Sequence, residues 1–380
     1  MPTPLTVEAA TSALNSSSAR LESLDVFRGA TIASMMLVNN PGRWDAVYPP
    51  LLHAEWHGWT FTDTVFPFFL WIVGVAMTLS VARRVERGDD RHRLLLHALR
   101  RAAILFALGL FLNAFPSFSW DRIRIPGVLQ RIAVCYLMAA VIFLYTRWRG
   151  QLFFTGFFLT VYWVLMMWTP YPGGAPGTLL PESNFSQWVD SLLLKGHMWS
   201  KTKTWDPEGV VSTLPAIATC LFGVLAGHII RNVKPLAERV VWLFVAGALL
   251  MQLGLILNWW MPINKNLWTT SYSVFMAGLA STSLAVWMWL VDALGWRRWT
   301  RPFAIYGMNA IAVFVLSGII GDLLGTIRIG ERPLQTVLYE CLFAPLASPL
   351  NASLLYALAH VLFLYAVAWL LYRRGWFIKF

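Results

Sequence analysis

Charge is scarce in this sequence. Of its 380 residues only 13% are Asp, Glu, Lys or Arg, while 57% are hydrophobic. A water-soluble domain keeps roughly a quarter of its residues charged to stay dispersed, so a soluble globular protein is excluded. Acidic residues are the fewest, 19 against 30 basic ones, for a formal net charge of +11. That balance would suit nucleic acid if Lys and Arg formed a stripe with interleaved aromatics on a soluble segment. The basic residues instead sit between apolar runs, which excludes nucleic acid as a partner. Cysteines number three, and Cys135 and Cys220 fall inside apolar runs, so no disulfide framework is expected. A basic n-region with an apolar core is also missing: residues 1–19 are rich in Ser, Thr and Ala and read as a disordered tail. No internal repeat is visible, which weighs against a transporter built from inverted halves.

Apolar runs of about twenty residues, long enough to cross a bilayer, are abundant. Ten transmembrane helices are expected, at Leu24–Asn40, Thr62–Ala82, Leu94–Asn113, Val128–Tyr145, Leu152–Trp168, Val210–Ile230, Leu236–Trp260, Ser271–Val291, Phe303–Leu324 and Ala352–Tyr372. The fold class is therefore an all-α polytopic membrane protein, with residues 20–380 forming one transmembrane domain. Most of the 30 basic residues fall on one side, in clusters such as Arg83–Arg101, Arg147–Arg149 and Arg297–Arg301, which places both termini in the cytoplasm. Leu334–Leu346 is too short for a span and ends in Pro345 and Pro349. Counting it as a crossing would move Arg373, Arg374 and Lys379 outside, so 331–349 is expected to be a short re-entrant or surface helix. The long outer loops are Pro41–Phe61 and the Pro- and Gly-rich stretch 169–209, an irregular extracytoplasmic cap. Trp59, Trp148, Trp259, Trp268, Trp296 and Trp299 lie near span ends, as interfacial belts require.

An ionisable group in hydrocarbon needs a partner or a cavity. Asp25 and Arg28, one turn apart in the first span, form either an intrahelical ion pair or a contact for an anionic ligand. Arg131, in Pro126-Gly127-Val128-Leu129-Gln130-Arg131, has no acidic residue one turn away and points to a phosphate or carboxylate. The loop His53-Ala54-Glu55-Trp56-His57-Gly58, followed by Asp63, gathers two imidazoles and two carboxylates at a span mouth beside Asn39 and Asn40. Ordinary solvated loop histidines would look similar one at a time; clustered, they can take a proton or accept an acyl group. No metal-ligand spacing is present, so no metal is expected. His97 and His228 read as inner-interface residues, His360 as a helix-packing hydrogen bonder, and His92 and His197 as solvated. Asp206-Pro207-Glu208-Gly209 reads as a cap on the sixth span, its carboxylates complementing the helix dipole. The polar run Pro262–Ser271 is either an interfacial loop or a ligand cradle, and Asn309 is an amide inside the ninth span.

These segments carry a resemblance. Arg20-Leu21-x-Ser23-Leu24-Asp25-x-Phe27-Arg28-Gly29, His53-Ala54-x-Trp56-x-Gly58 with Asp63-x-Val65-Phe66-Pro67, Pro126–Arg131, Asp206–Gly209 and Asn264-Lys265-Asn266-Leu267-Trp268 occur in order. Together they resemble bacterial members of the heparan-α-glucosaminide N-acetyltransferase family. The resemblance implies acetyl transfer from acetyl-coenzyme A to the amine of glucosamine or a glucosamine-containing glycan, in a polar pocket toward the outer face. His53 matches the family's catalytic histidine and Asn39 an active-site asparagine, with His57 and Asp63 beside them. Asp25, Arg28, Gln130, Arg131, Asn264, Lys265, Asn266 and Trp268 are the polar positions assigned to the donor. His57 stands where the lysosomal relative has Asn, which leaves the acceptor open. The resemblance also implies a bacterial cytoplasmic (inner) membrane location and a homodimer, although no interface is legible. The competing class is a membrane transporter for N-acetylglucosamine or a related amino sugar, with the same residues lining a pathway.

Overall fold

The computed structural model describes residues 21–378 except Val233. The expected tail over 1–19 lies outside them, as do Arg20 and Lys379. Among the described residues, α-helices dominate and one two-stranded hairpin accompanies them. The helices are α1 (Glu22–Asn39), α2 (Phe61–Glu86), α3 (Arg91–Ala114), α4 (Val128–Tyr145), α5 (Trp148–Met167), α6 (Phe185–Leu193), α7 (Thr213–Arg231) and α8 (Leu236–Leu257). They continue with α9 (Thr270–Trp287, extended by a π turn to Ala293), α10 (Arg301–Met308), α11 (Ala310–Thr326), α12 (Leu334–Leu342) and α13 (Pro349–Arg373). The hairpin pairs β1 (Arg328–Ile329) with β2 (Arg332–Pro333).

Among the described residues, eight helices are long and apolar enough to cross a membrane: α2, α3, α4, α5, α7, α8, α9 and α13. Two of the ten expected spans differ from this description. The run Phe303–Leu324 is not one helix: α10 and α11 meet at an angle of 81°. The break falls at Asn309, whose buried side chain turns away from its own helix. Its Nδ2 donates to the carbonyl of Trp376 (3.1 Å) and its Oδ1 accepts the N–H of Ile378 (2.9 Å). The amide expected as glue within a span thus clamps the C-terminal segment. The first expected span, α1, has the length but carries Glu22, Asp25 and Arg28, too much charge for a lipid-facing helix; most of its residues are buried inside the bundle.

Close helix crossings depend on two glycine pairs. A Cβ on Gly29 would stand 1.7 Å from the carbonyl oxygen of Phe303, and one on Gly307 would stand 2.1 Å from that of Asp25, so α1 and α10 touch backbone to backbone. Gly74 and Gly223 do the same for α2 and α7. The main core joins α1, α2, α4 and α7 through Met36, Leu70, Cys135 and Leu221.

Between β2 and α13 the stretch 331–349 holds one helix, α12, nine residues long and so about 14 Å, under half a hydrocarbon core. It stays at the end where α1 stops: Gln335 Nε2 donates to the Pro41 carbonyl, and the Tyr339 ring lies against Gly42. The loop 169–209 is less irregular than its Pro and Gly suggest, because Asn184 accepts the Gln187 N–H (2.8 Å) and starts α6.

Candidate active site

The mouth of α2 organises the site. Thr60 and Asp63 form a capping box, with the Asp63 side chain accepting the Thr60 N–H through Oδ2 (3.0 Å). The same oxygen accepts the N–H of Ala54 (3.0 Å), which folds the preceding loop back over the helix start. Oδ1 is left for His53, whose Nδ1 lies 2.6 Å away. Pro67 has no N–H to offer the Asp63 carbonyl one turn earlier; the Tyr272 hydroxyl of α9 fills that gap at 2.6 Å. Asp63 is therefore fixed from both its side chain and its backbone, and it is 1% exposed while the His53 side chain is 48% exposed. A buried carboxylate on Nδ1 keeps that nitrogen protonated and turns the lone pair of Nε2 outward. This is the arrangement of an oriented base with access to a substrate.

The loop continues against the run before α9. Gly58, at φ +96°, donates its N–H to the Ile263 carbonyl (2.7 Å), and Asn264 Nδ2 lies 3.4 Å from His57 Nδ1. Partial burial lowers the pKa of His57, so it is neutral and accepts from Asn264. Asn264 is spent mostly on its own turn, Oδ1 accepting the Leu267 N–H. That turn buries Trp268 completely, at φ +52°. The Trp268 Nε1 donates to Thr219, and the Arg131 guanidinium lies 5.1 Å over the ring. Arg131 is 2% exposed; its Nη2 donates to Gly209 O and Ser212 Oγ, while Nε and Nη1 have no partner among the described residues. The neighbouring Gln130, packed against Gly109, also has an unpartnered Nε2.

Above Arg131 the loop 169–209 is held by charge. Arg124 spans both oxygens of Asp206 (2.8 and 2.6 Å) and also pairs with Glu208. Asp206 was expected beside the N-cap of the following span; the structure corrects this, because its carboxylate is taken by Arg124 and the Trp199 N–H. Burial opposes ionisation of Glu208, but Arg124, Lys265 and Arg131 outweigh it and hold the carboxyl below its usual range. Burial likewise opposes the charge on Arg124, and its two carboxylates reverse this, so it stays protonated. Asp190 forms no ion pair among the described residues, and Arg131 favours its charge only weakly. Burial pushes its carboxyl up to about 6, despite N–H donors from Val210 and Asp206. Trp56 ties the His53 loop to this cap, donating to Leu179 O and meeting Trp205 edge-on at 5.3 Å.

The expected site residues thus separate into groups. His53 pairs with Asp63 and His57 with Asn264, whose turn carries Trp268 against Arg131, while Gln130 packs against Gly109 and Gly127. Lys265 and Asn266 are half-buried in the same turn. Asn39 is exposed at the end of α1, and no hydrogen bond links it to His53 among the described residues. Asp25 and Arg28 lie apart. They pair at 3.2 Å, Arg28 also reaches the Gly307 carbonyl at 3.4 Å, and about 17 Å of helix separates Arg28 from Asn39.

Residues 20–252 match the family model for the catalytic region of heparan-α-glucosaminide N-acetyltransferase. The chain belongs to this family. It is 30% identical over 368 residues to the human heparan-α-glucosaminide N-acetyltransferase, an alignment covering 81% of this chain and 54% of that protein. The mouse enzyme is 30% identical over 369 residues, covering 82% and 55% respectively. The chain spans about half the length of these relatives. The family match contains His53, Asp63, Arg131, Asp206 and Glu208 and stops short of the Asn264–Trp268 turn.

Sequence reasoning passed over Arg124 and Asp190 in this family member, since their partners lie 82 and 20 residues away and no local spacing marks them. His197 was expected in solvent and instead faces the Ile123 carbonyl at 2.9 Å.

Proposed function

We propose that this chain is a membrane-embedded acetyltransferase that moves the acetyl group of acetyl-coenzyme A to the amine of glucosamine or a glucosamine-containing glycan. The observation that carries the reading is the half-exposed His53 held at Nδ1 by buried Asp63, within the region matched to the family's catalytic model. Its N-acetyltransferase relatives supply the reaction class.

The neutral acceptor amine attacks the thioester carbonyl while His53 Nε2 takes a proton from its nitrogen. The new C–N bond forms as the C–S bond breaks, and the proton passes from His53 to the departing thiolate. Asp63 steadies the imidazolium between these events without giving up its own charge. The donor is polyanionic, and unpartnered Nε and Nη1 of Arg131, with Nε2 of Gln130, suit such a ligand. Arg28 belongs to a different end of the bundle and serves the donor only if it extends there. The membrane is the bacterial cytoplasmic membrane.

Incubation with labelled acetyl-coenzyme A and glucosamine tests this. Wild type should label the sugar and His53→Ala should lose about 100-fold or more of the rate; equal labelling by both would refute the role of His53. Label left on the protein without acceptor, and lost in His53→Ala, identifies His53 as an acetyl carrier in place of a general base.

A further inference from the structure

The face of α5 turned away from the bundle carries a shallow groove lined by α5 alone and open along its length, unrelated to the His53 site. Gln151, Thr155, Phe158, Tyr162 and Met166 form the buried face of this helix. The opposite face exposes Trp148, Phe153 and Phe157, at 52%, 64% and 46%. Between them Gly156 leaves a notch, since a Cβ there would meet no atom within 4 Å. Phe153 and Phe157 stack at 6.3 Å along one wall. The groove runs from Arg149 to Thr160, about 16 Å of helix, the depth of one leaflet.

Charge at its mouth is of one sign. No Asp or Glu occurs between Asp121 and Glu182, and both Arg147 and Arg149 are exposed. Arg149 lies 5.4 Å over the Trp148 ring, and among the described residues no carboxylate forms an ion pair with it. An arginine free of carboxylates, beside an interfacial tryptophan and above an apolar slot one leaflet deep, complements a lipid phosphate with an acyl chain below it. We propose that this groove binds an anionic phospholipid of the leaflet at the Trp148 end, its phosphate on Arg149 and one acyl chain over Gly156.

The full chain is purified from membranes and reconstituted in bilayer discs of phosphatidylcholine with or without phosphatidylglycerol. Wild type, Arg149→Ala and Gly156→Leu are compared for thermal stability and for phosphatidylglycerol retained on extraction, read by native mass spectrometry. Phosphatidylglycerol should raise the melting temperature of wild type, and Arg149→Ala should retain roughly fivefold less of it. Gly156→Leu fills the notch without striking protein, so it should melt normally in phosphatidylcholine and also lose retention. Equal retention by all three proteins would overturn the site, as ordinary annular lipid behaves that way. A change in oligomer mass for Gly156→Leu with retention unchanged would also overturn it, by placing a second copy of the chain in the groove.

Discussion

Asp63 gives one carboxylate oxygen to His53 and the other to the backbone that starts α2. One side chain therefore joins the stability of a helix to the orientation of the proposed base.

Exchanging Asp63 for Asn should damage both. The amide turns an N–H toward His53 Nδ1 and favours the tautomer with its proton on Nε2, which predicts a loss of about 10²- to 10⁴-fold in transfer rate. The amide oxygen still accepts from Thr60 and Ala54 but no longer carries the charge that complements the helix dipole, which should remove about 0.3–1 kcal/mol of stability. His53→Ala removes the base and leaves the cap, so thermal unfolding of the two variants separates the effects.

Arg124→Ala should be among the single changes that most destabilise the loop 169–209. It strands the buried carboxylates of Asp206 and Glu208, and breaking such a cluster typically costs about 3–5 kcal/mol. Limited proteolysis should show cleavage within the loop. Cleavage at the wild-type rate would contradict this account.

Asp190 predicts a dependence on pH with a definite sign. Its folded carboxyl titrates at about 6, above the ordinary value of 3.8. Between these values the folded loop holds a proton that the unfolded loop releases, so this contribution falls as pH rises through the window. Asp190→Asn removes it. The melting-temperature difference between wild type and Asp190→Asn should therefore shift against wild type from about pH 4 to pH 6. A difference constant with pH would exclude Asp190 as the titrating group.

Gly307→Ala should force α1 and α10 apart, because the added methyl has no room beside the Asp25 carbonyl. Overpacking of this kind costs about 1–3 kcal/mol. Gly156→Ala, where space is open, is the matched control in the same unfolding assay.

Most spans were legible because twenty consecutive apolar residues have few alternatives to crossing a bilayer. The break at Asn309 was not, since hydropathy averages over one amide and is indifferent to a partner 67 residues further on. The same contrast holds at the site. His53, His57 and Asp63 lie within eleven residues of one another and announced themselves as a cluster. Trp268 over Arg131, and Arg124 on Asp206, are products of helix packing that no spacing encodes. Arg28 had the right chemistry for the pocket, yet its place early in α1 carries it to Asp25 and α10.

The clamp at Asn309 bears on how the chain is assembled. Until Trp376 and Ile378 arrive, both polar ends of that amide sit in the bundle unanswered. Those partners lie 67 and 69 residues further along the chain, so the bent pair cannot be sealed until α13 has followed it. Sealing that corner of the bundle therefore waits on the segment that follows α13.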